Sequence, residues 1–270
     1  MGVGCLLAGV RISNHLSRGR AFLSRRLAKI RGKTEWSRPI NGVGTVKIRC
    51  NSTDDLTFRQ VFVRKEYDIS HLRQYERILG VYRNILAAER LPIIIDAGAN
   101  VGAASIWFAM QFPGARIVAV EPDPGNAAMC RVNTERFTNI KVVEGAIGSE
   151  PGLVFLSNPL NEAWAVQTVR GQSGHIPVHT IPGLVHGQRE FSQLFIVKID
   201  IEGFEMDLFE ANTEWVQDTT AIFVEPHDWL FPQKGTSLSF QRALLGRGFE
   251  IVISGENLVF ISLPKSAGYT

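Results

Sequence analysis

Two pairs of residues are placed to move a proton. Asp200 and Glu202 follow the apolar run 194–199, and Glu225 and His227 follow the run 221–224. If these runs are neighbouring parallel strands, their ends open into one crevice, and residues two apart in a strand point the same way. A histidine titrates near neutrality, so His227 suits the removal of a hydroxyl proton, with Glu225 or Asp200 fixing its tautomer. Such help is worth about a hundred- to ten-thousandfold. Two other chemistries remain open. Carboxylates with a histidine suit Mg²⁺ or Mn²⁺, while Glu202 and Glu205 could pair with Lys198 or cap a helix near Phe204. The catalytic set is read as His227, Glu225, Asp200 and Glu202, with no metal; Asp200 alternatively holds a ligand ammonium. The other five histidines have no comparable setting.

A second group sits earlier. Asp96, Gly98, Asn100 and Gly102 follow the β-branched run 93–95 and open an apolar helix. Glycines let a backbone turn and approach a ligand closely, and free amides in such a loop point at what binds there. Nineteen residues after Gly102, another strand ends in Glu121, an acid able to accept both hydroxyls of a ribose. The dinucleotide fingerprint Gly-x-Gly-x-x-Gly is absent, because Asn100 stands at its middle position. Asp96 would also repel a pyrophosphate, yet suits a ligand carrying an ammonium and a sulfonium.

These residues need a parallel sheet behind them. Strands are expected at 93–96, 116–121, 140–144, 194–200, 221–225, 249–254 and 258–263. Helices are expected at 70–89, 103–112, 204–211 and 239–246, with Asp123-Pro124 starting another. Alternating strands and helices argue for an α/β fold with helices on both faces of the sheet. The closing hairpin adds an antiparallel strand. Residues 157–193, with Trp164 and three histidines, show no clear period and are read as a lid that shapes an acceptor pocket together with Trp229–Phe231. Three domains are expected: a basic arm at 1–40, lead-in strands and a helix at 41–90, and a ligand-binding domain at 91–270.

Charge separates the arm from the rest. Of 29 Lys and Arg, eight lie in residues 1–34, ahead of the first acid, Glu35. The remainder carries 21 basic against 26 acidic residues, so a nucleic-acid groove on the folded body is excluded. The arm places Ile12, Leu16, Leu23, Leu27 and Ile30 in one helical stripe, with arginines opposite. It reads as a helix on an anionic membrane surface, a solvated extension, or a transit peptide. No apolar run is long enough to span a bilayer. Three scattered cysteines provide neither a disulfide framework nor a thiolate zinc site. The expected location is the cytoplasm, with the arm reaching the inner membrane surface.

Residues 93–102 followed by 117–124 resemble class I S-adenosylmethionine-dependent methyltransferases, and more narrowly the FkbM family. Residues 139–148, 178–181, 223–227 and the lead-in 54–67 are similar in order. The string Lys198-Ile199-Asp200-Ile201-Glu202-Gly203-Phe204-Glu205 is the specific part. The likeness covers about residues 54–262 and leaves out the arm. It implies a Rossmann-like seven-stranded sheet, mostly parallel with the last strand antiparallel. It further implies S-adenosylmethionine as cofactor and methylation of a hydroxyl on a sugar, glycan or other small acceptor. By position, Asp96, Gly98, Asn100 and Gly102 would line the methionine and ribose, Glu121 would hold the ribose hydroxyls, and Ala146 would flank the adenine. Many such enzymes place an Asp after the third strand; Glu144-Gly145-Ala146 lacks it, so adenine would be read by backbone. A non-catalytic adaptor and an NAD-dependent oxidoreductase are the alternative functions.

Overall fold

The computed structural model describes residues 33–157, 167–171, 174–188 and 191–264. The amphipathic stripe of the arm and Trp164 lie outside them. Two compact units divide the chain, one running to Val63 and the other starting at Arg64.

In the first unit, β1 (Glu35–Ile40) and β2 (Gly44–Arg49) form an antiparallel hairpin, followed by α1 (Asp54–Phe62). Strand β1 thus begins inside the segment 1–40 expected to be arm. Trp36, Val46 and Ile48 alternate inward, which is the two-residue period of a half-buried strand. Asp54 is buried at the start of α1, where Arg49 grips its carboxylate through Nη2 at 2.8 Å and Nε at 3.0 Å.

The second unit opens with α2 (Tyr75–Ala87) and β3 (Leu91–Ala97). Ile93, Ile94 and Ile95 are all fully buried, as a strand covered on both faces requires. Then come α3 (Ala103–Gln111), β4 (Arg116–Glu121), α4 (Pro124–Thr134) and β5 (Ile140–Glu144). Asp123 caps α4 by accepting the Asn126 N–H at 2.7 Å, with Pro124 in the first turn.

The described residues between 146 and 186 hold β6 (Ala146–Ile147), β7 (Gly152–Ser157), β8 (Gln167–Arg170), β9 (Ile176–His179) and α5 (Ile181–His186), the last three inside the stretch 157–193 that shows no clear period in the sequence. These strands make a small sheet in the order β6-β9-β7-β8. Each has two to six residues, too few for a periodic signal to stand out.

The chain returns to the main sheet with β10 (Ser192–Ile199), α6 (Glu205–Leu208), α7 (Trp215–Asp218) and β11 (Ala221–Val224). It ends with α8 (Leu238–Leu244), β12 (Phe249–Ser254) and β13 (Asn257–Ser262). The main sheet has seven strands in the order β12-β13-β11-β10-β3-β4-β5. All neighbours from β11 to β5 are parallel, and β13 runs antiparallel to both β11 and β12. The expected Rossmann-like sheet is therefore present. From β3 the chain winds outward to β5, then crosses back to β10 on the other side. Strand order reverses between β3 and β10, and the carboxyl ends flanking such a reversal are where an open α/β sheet binds its ligand. No helix among the described residues is long and apolar enough to cross a membrane.

Candidate active site

Register fixes which residues meet. Lys198 of β10 lies opposite Asp96 of β3, Ile199 opposite Ala97, and Val224 of β11 opposite Ile199. Across β4, Val120 lies opposite Ala97. Four strand ends therefore stand side by side. They carry Glu225 and His227, then Asp200 and Glu202, then the Asp96–Gly102 loop, then Glu121.

The loop is pressed against β10. Gly98 has φ +77°, and a Cβ there would fall 1.8 Å from the Asp200 carbonyl oxygen. What Gly98 permits is thus close approach of two protein backbones. Gly102, also left-handed, starts α3 against Thr134 and Cys130 of α4. Asp96 is turned inward and fully buried. Ser105 Oγ donates to it at 2.5 Å, and Lys198 Nζ lies 3.2 Å away. Direct lining of a ligand by Asp96 is not what this geometry offers. It anchors Lys198, which donates to the Gly98 carbonyl at 2.7 Å and lies 3.4 Å from Asp200. Burial draws the Lys198 ammonium down, but Asp96 and Asp200 outweigh it and hold it well above its ordinary value.

The loop amides are also mostly engaged. The N–H groups of Gly98 and Ala99 donate to Val120, that of Gly102 to Ala99, and that of Asn100 to Glu121 Oε2 at 2.8 Å. Glu121 Oε1 accepts the Asp123 N–H at 3.0 Å. Burial pushes Glu121 up to about 7 against the pull of the Asp123 and Asn100 amides. The Asn126 side-chain amide donates to Oε1 as well, at 3.5 Å; a carboxylate offers about four lone-pair sites, so room for one ribose hydroxyl remains. Ala146 is buried with Val154, Ile176, Val178 and Phe204 beside the small sheet, while Glu144 pairs with Arg131 at 3.1 Å.

The second constellation converges, but in the turns beyond β10 and β11 and not along the strands. His227 is 2% exposed, and its Nε2 faces Asp200 at 3.6 Å, Glu225 at 3.8 Å and Glu202 at 3.9 Å. Glu202 has φ +55° and Gly203 φ +93°. These two left-handed residues swing the chain back over the strand end, and a Cβ on Gly203 would meet Phe231 at 2.4 Å. The partner behind the ring differs from expectation. Nδ1 bonds neither Glu225 nor Asp200 but Glu205, at 2.9 Å, and Glu205 also accepts the Ile201 N–H at 3.2 Å. Glu205 is buried. Its spacing, three residues past Glu202, was readable in the sequence; its burial behind a left-handed turn was not.

Burial together with Asp200 pushes Glu202 up to about 7 and Glu225 up to about 8. Burial draws His227 down, but Glu205, Asp200 and Glu202 outweigh it and push it up to about 9. The cluster is short of positive charge. The upward direction at His227 favours the protonated imidazole near neutral pH.

The methyltransferase FkbM domain matches residues 96–251, which contain every residue of this row. The chain belongs to that family. It is a methyltransferase. Over 177 residues it is 26% identical to the 2-O-methyltransferase NoeI of Sinorhizobium fredii, covering 58% of this chain and 73% of NoeI. Over 183 residues it is 27% identical to the hexuronic acid methyltransferase AglP of Haloferax volcanii, covering 65% of this chain and 73% of AglP. A methyltransferase structure from Geobacter sulfurreducens superposes at 15% identity with a TM-score of 0.36, covering 94% of this chain and 96% of that one. The FkbM match starts at the first residue of the loop motif and ends inside β12.

Proposed function

We propose that this FkbM methyltransferase uses S-adenosylmethionine to methylate a hydroxyl of a sugar or glycan. The observation that carries the reading is the double placement of Asp200. Its backbone abuts Gly98 of the cofactor loop, and its side chain belongs to the proton-handling cluster. Cofactor and acceptor sites on either side of one residue suit the close approach, roughly 3–3.5 Å, that attack requires.

The donor set fits this cofactor. A pyrophosphate would need several free amides at the helix start, and four of the loop amides are already engaged. Glu121 keeps acceptor capacity for one ribose hydroxyl, and the surrounding carboxylates favour a cationic ligand. S-adenosylmethionine supplies a methyl group on a positively charged sulfur. Glu121 holds the nucleoside, Lys198 and Asp96 keep the loop in place, and Asp200, Glu202, Glu225 and His227 receive the acceptor. As the new O–CH₃ bond forms, the C–S bond breaks and the hydroxyl proton passes to a carboxylate of the cluster. The acceptor class is drawn from the relatives, one named for 2-O-methylation and the other for a hexuronic acid.

Calorimetry with S-adenosylhomocysteine tests the cofactor, with micromolar affinity expected. Labelled-methyl transfer to a panel of glycans tests the acceptor. No binding at high micromolar ligand overturns the reading.

A further inference from the structure

We propose that Asp200, Glu202 and Nε2 of His227 bind a divalent cation of the magnesium–manganese class, and that this ion holds the acceptor hydroxyl. The second clause rests on the function proposed above; the first does not.

The geometry is the first observation. The ligand atoms of Asp200, Glu202 and His227 all lie within 4.8 Å of one another. From Nε2 the carboxylate oxygens stand at 3.6 Å and 3.9 Å. Ligands about 2.1 Å from an octahedral ion sit about 3 Å apart when adjacent and about 4.2 Å when opposite. The observed separations fall between those values. They are too long for hydrogen bonds.

The second observation is His227 itself. Its ring is 2% exposed, and Nε2 faces three carboxylates at 3.6–3.9 Å, beyond hydrogen-bond reach. The contact on the other nitrogen keeps it aimed there. Glu205 at 2.9 Å holds one ring proton on Nδ1, so a cation that displaces the proton from Nε2 meets a lone pair pointed into the cluster. That is the outer support a metal-ligating histidine receives.

The donor set selects the ion. Carboxylate oxygens with one imidazole and no thiolate suit Mg²⁺ or Mn²⁺ better than a thiophilic metal. Asp200 and Glu202 are 29% and 37% exposed, so the ion has a path in from solvent. A hydroxyl on such an ion loses its proton more readily. With Nε2 engaged as a ligand, Glu225 is the group left to receive that proton.

Mn²⁺ alone is the probe, with the full chain and no cofactor. Titration followed by electron paramagnetic resonance is expected to show one saturable site of micromolar affinity. In the wild-type protein, Mn²⁺ is expected to broaden the imidazole resonances of His227 at substoichiometric ratios, ahead of the other five histidines. Asp200→Asn is expected to weaken binding at least tenfold. No saturable binding below millimolar Mn²⁺, or His227 resonances that stay sharp, overturns the proposal even if that variant fails to fold. Methyl transfer that persists in EDTA overturns the role of the ion in turnover and leaves the enzyme assignment standing. Mn²⁺ binding without methyl transfer to any glycan supports the metal site and overturns the glycan acceptor.

Discussion

Nδ1 of His227 lies 2.9 Å from Oε1 of Glu205, and both side chains are buried. This contact decides which ring nitrogen faces the crevice. Glu205→Gln keeps an oxygen that can accept from Nδ1, so the fold is expected to survive. The charge that keeps a ring proton on Nδ1 is lost. Methyl transfer is expected to fall about 10–100-fold, with S-adenosylhomocysteine affinity unchanged within about twofold. Unchanged turnover in Glu205→Gln would make the contact purely structural.

Glu121 gives cofactor binding a pH dependence of known sign. Burial pushes its carboxyl up to about 7, and ribose hydroxyls donate best to the ionised form. Affinity for S-adenosylhomocysteine is therefore expected to weaken as pH falls from 8 to 6. Glu121→Gln is expected to bind about tenfold more weakly at pH 8 and to lose that component of the slope. Parallel calorimetric titrations of both proteins check it.

The two left-handed glycines rank by what blocks them. At Gly98 an added methyl meets the backbone of Asp200 at 1.8 Å, whereas at Gly203 it meets the Phe231 ring at 2.4 Å. A ring can rotate and a strand end cannot. Gly203→Ala is expected to cost about 1–3 kcal/mol, and Gly98→Ala more. Urea denaturation monitored by circular dichroism measures both, and a reversed order would contradict the packing.

Lys198 is 2% exposed and lies 3.2 Å from fully buried Asp96. Lys198→Met leaves that acid without its cation, which costs about 3–5 kcal/mol. Arg83 and Glu76 pair at 3.5 Å with both side chains exposed, so Glu76→Ala is expected to cost about 0–0.5 kcal/mol. Denaturation midpoints of the two variants make the comparison.

The arm is tested separately. Residues 1–34 carry eight basic groups and no acid. If they meet an anionic surface, the full chain pellets with phosphatidylserine vesicles at low salt, and removal of residues 1–32 abolishes it. Equal pelleting of both forms would count against membrane contact.

Sequence alone was enough for the parallel sheet and for the convergence of Asp200, Glu202, Glu225 and His227. The buried strands around 93–95, 117–120 and 221–224 are short apolar runs bounded by turn residues, and their ends mark where residues 200–202 and 225–227 emerge, although β10 stops at Ile199 and a left-handed turn, not the strand period, places Glu202. Such patterns are local, so they survive in one dimension. Three things were not legible. Asp96 reads like a ligand-facing acid, but the parallel register sets it opposite Lys198 and buries it. The glycine at 98 reads like room for a ligand, but it is room for the end of β10. Glu205 reads like a helix cap, but the left-handed turn at Glu202-Gly203 folds it under the imidazole. Each depends on what lies across from a residue rather than along the chain, and only the packed structure brings those partners together.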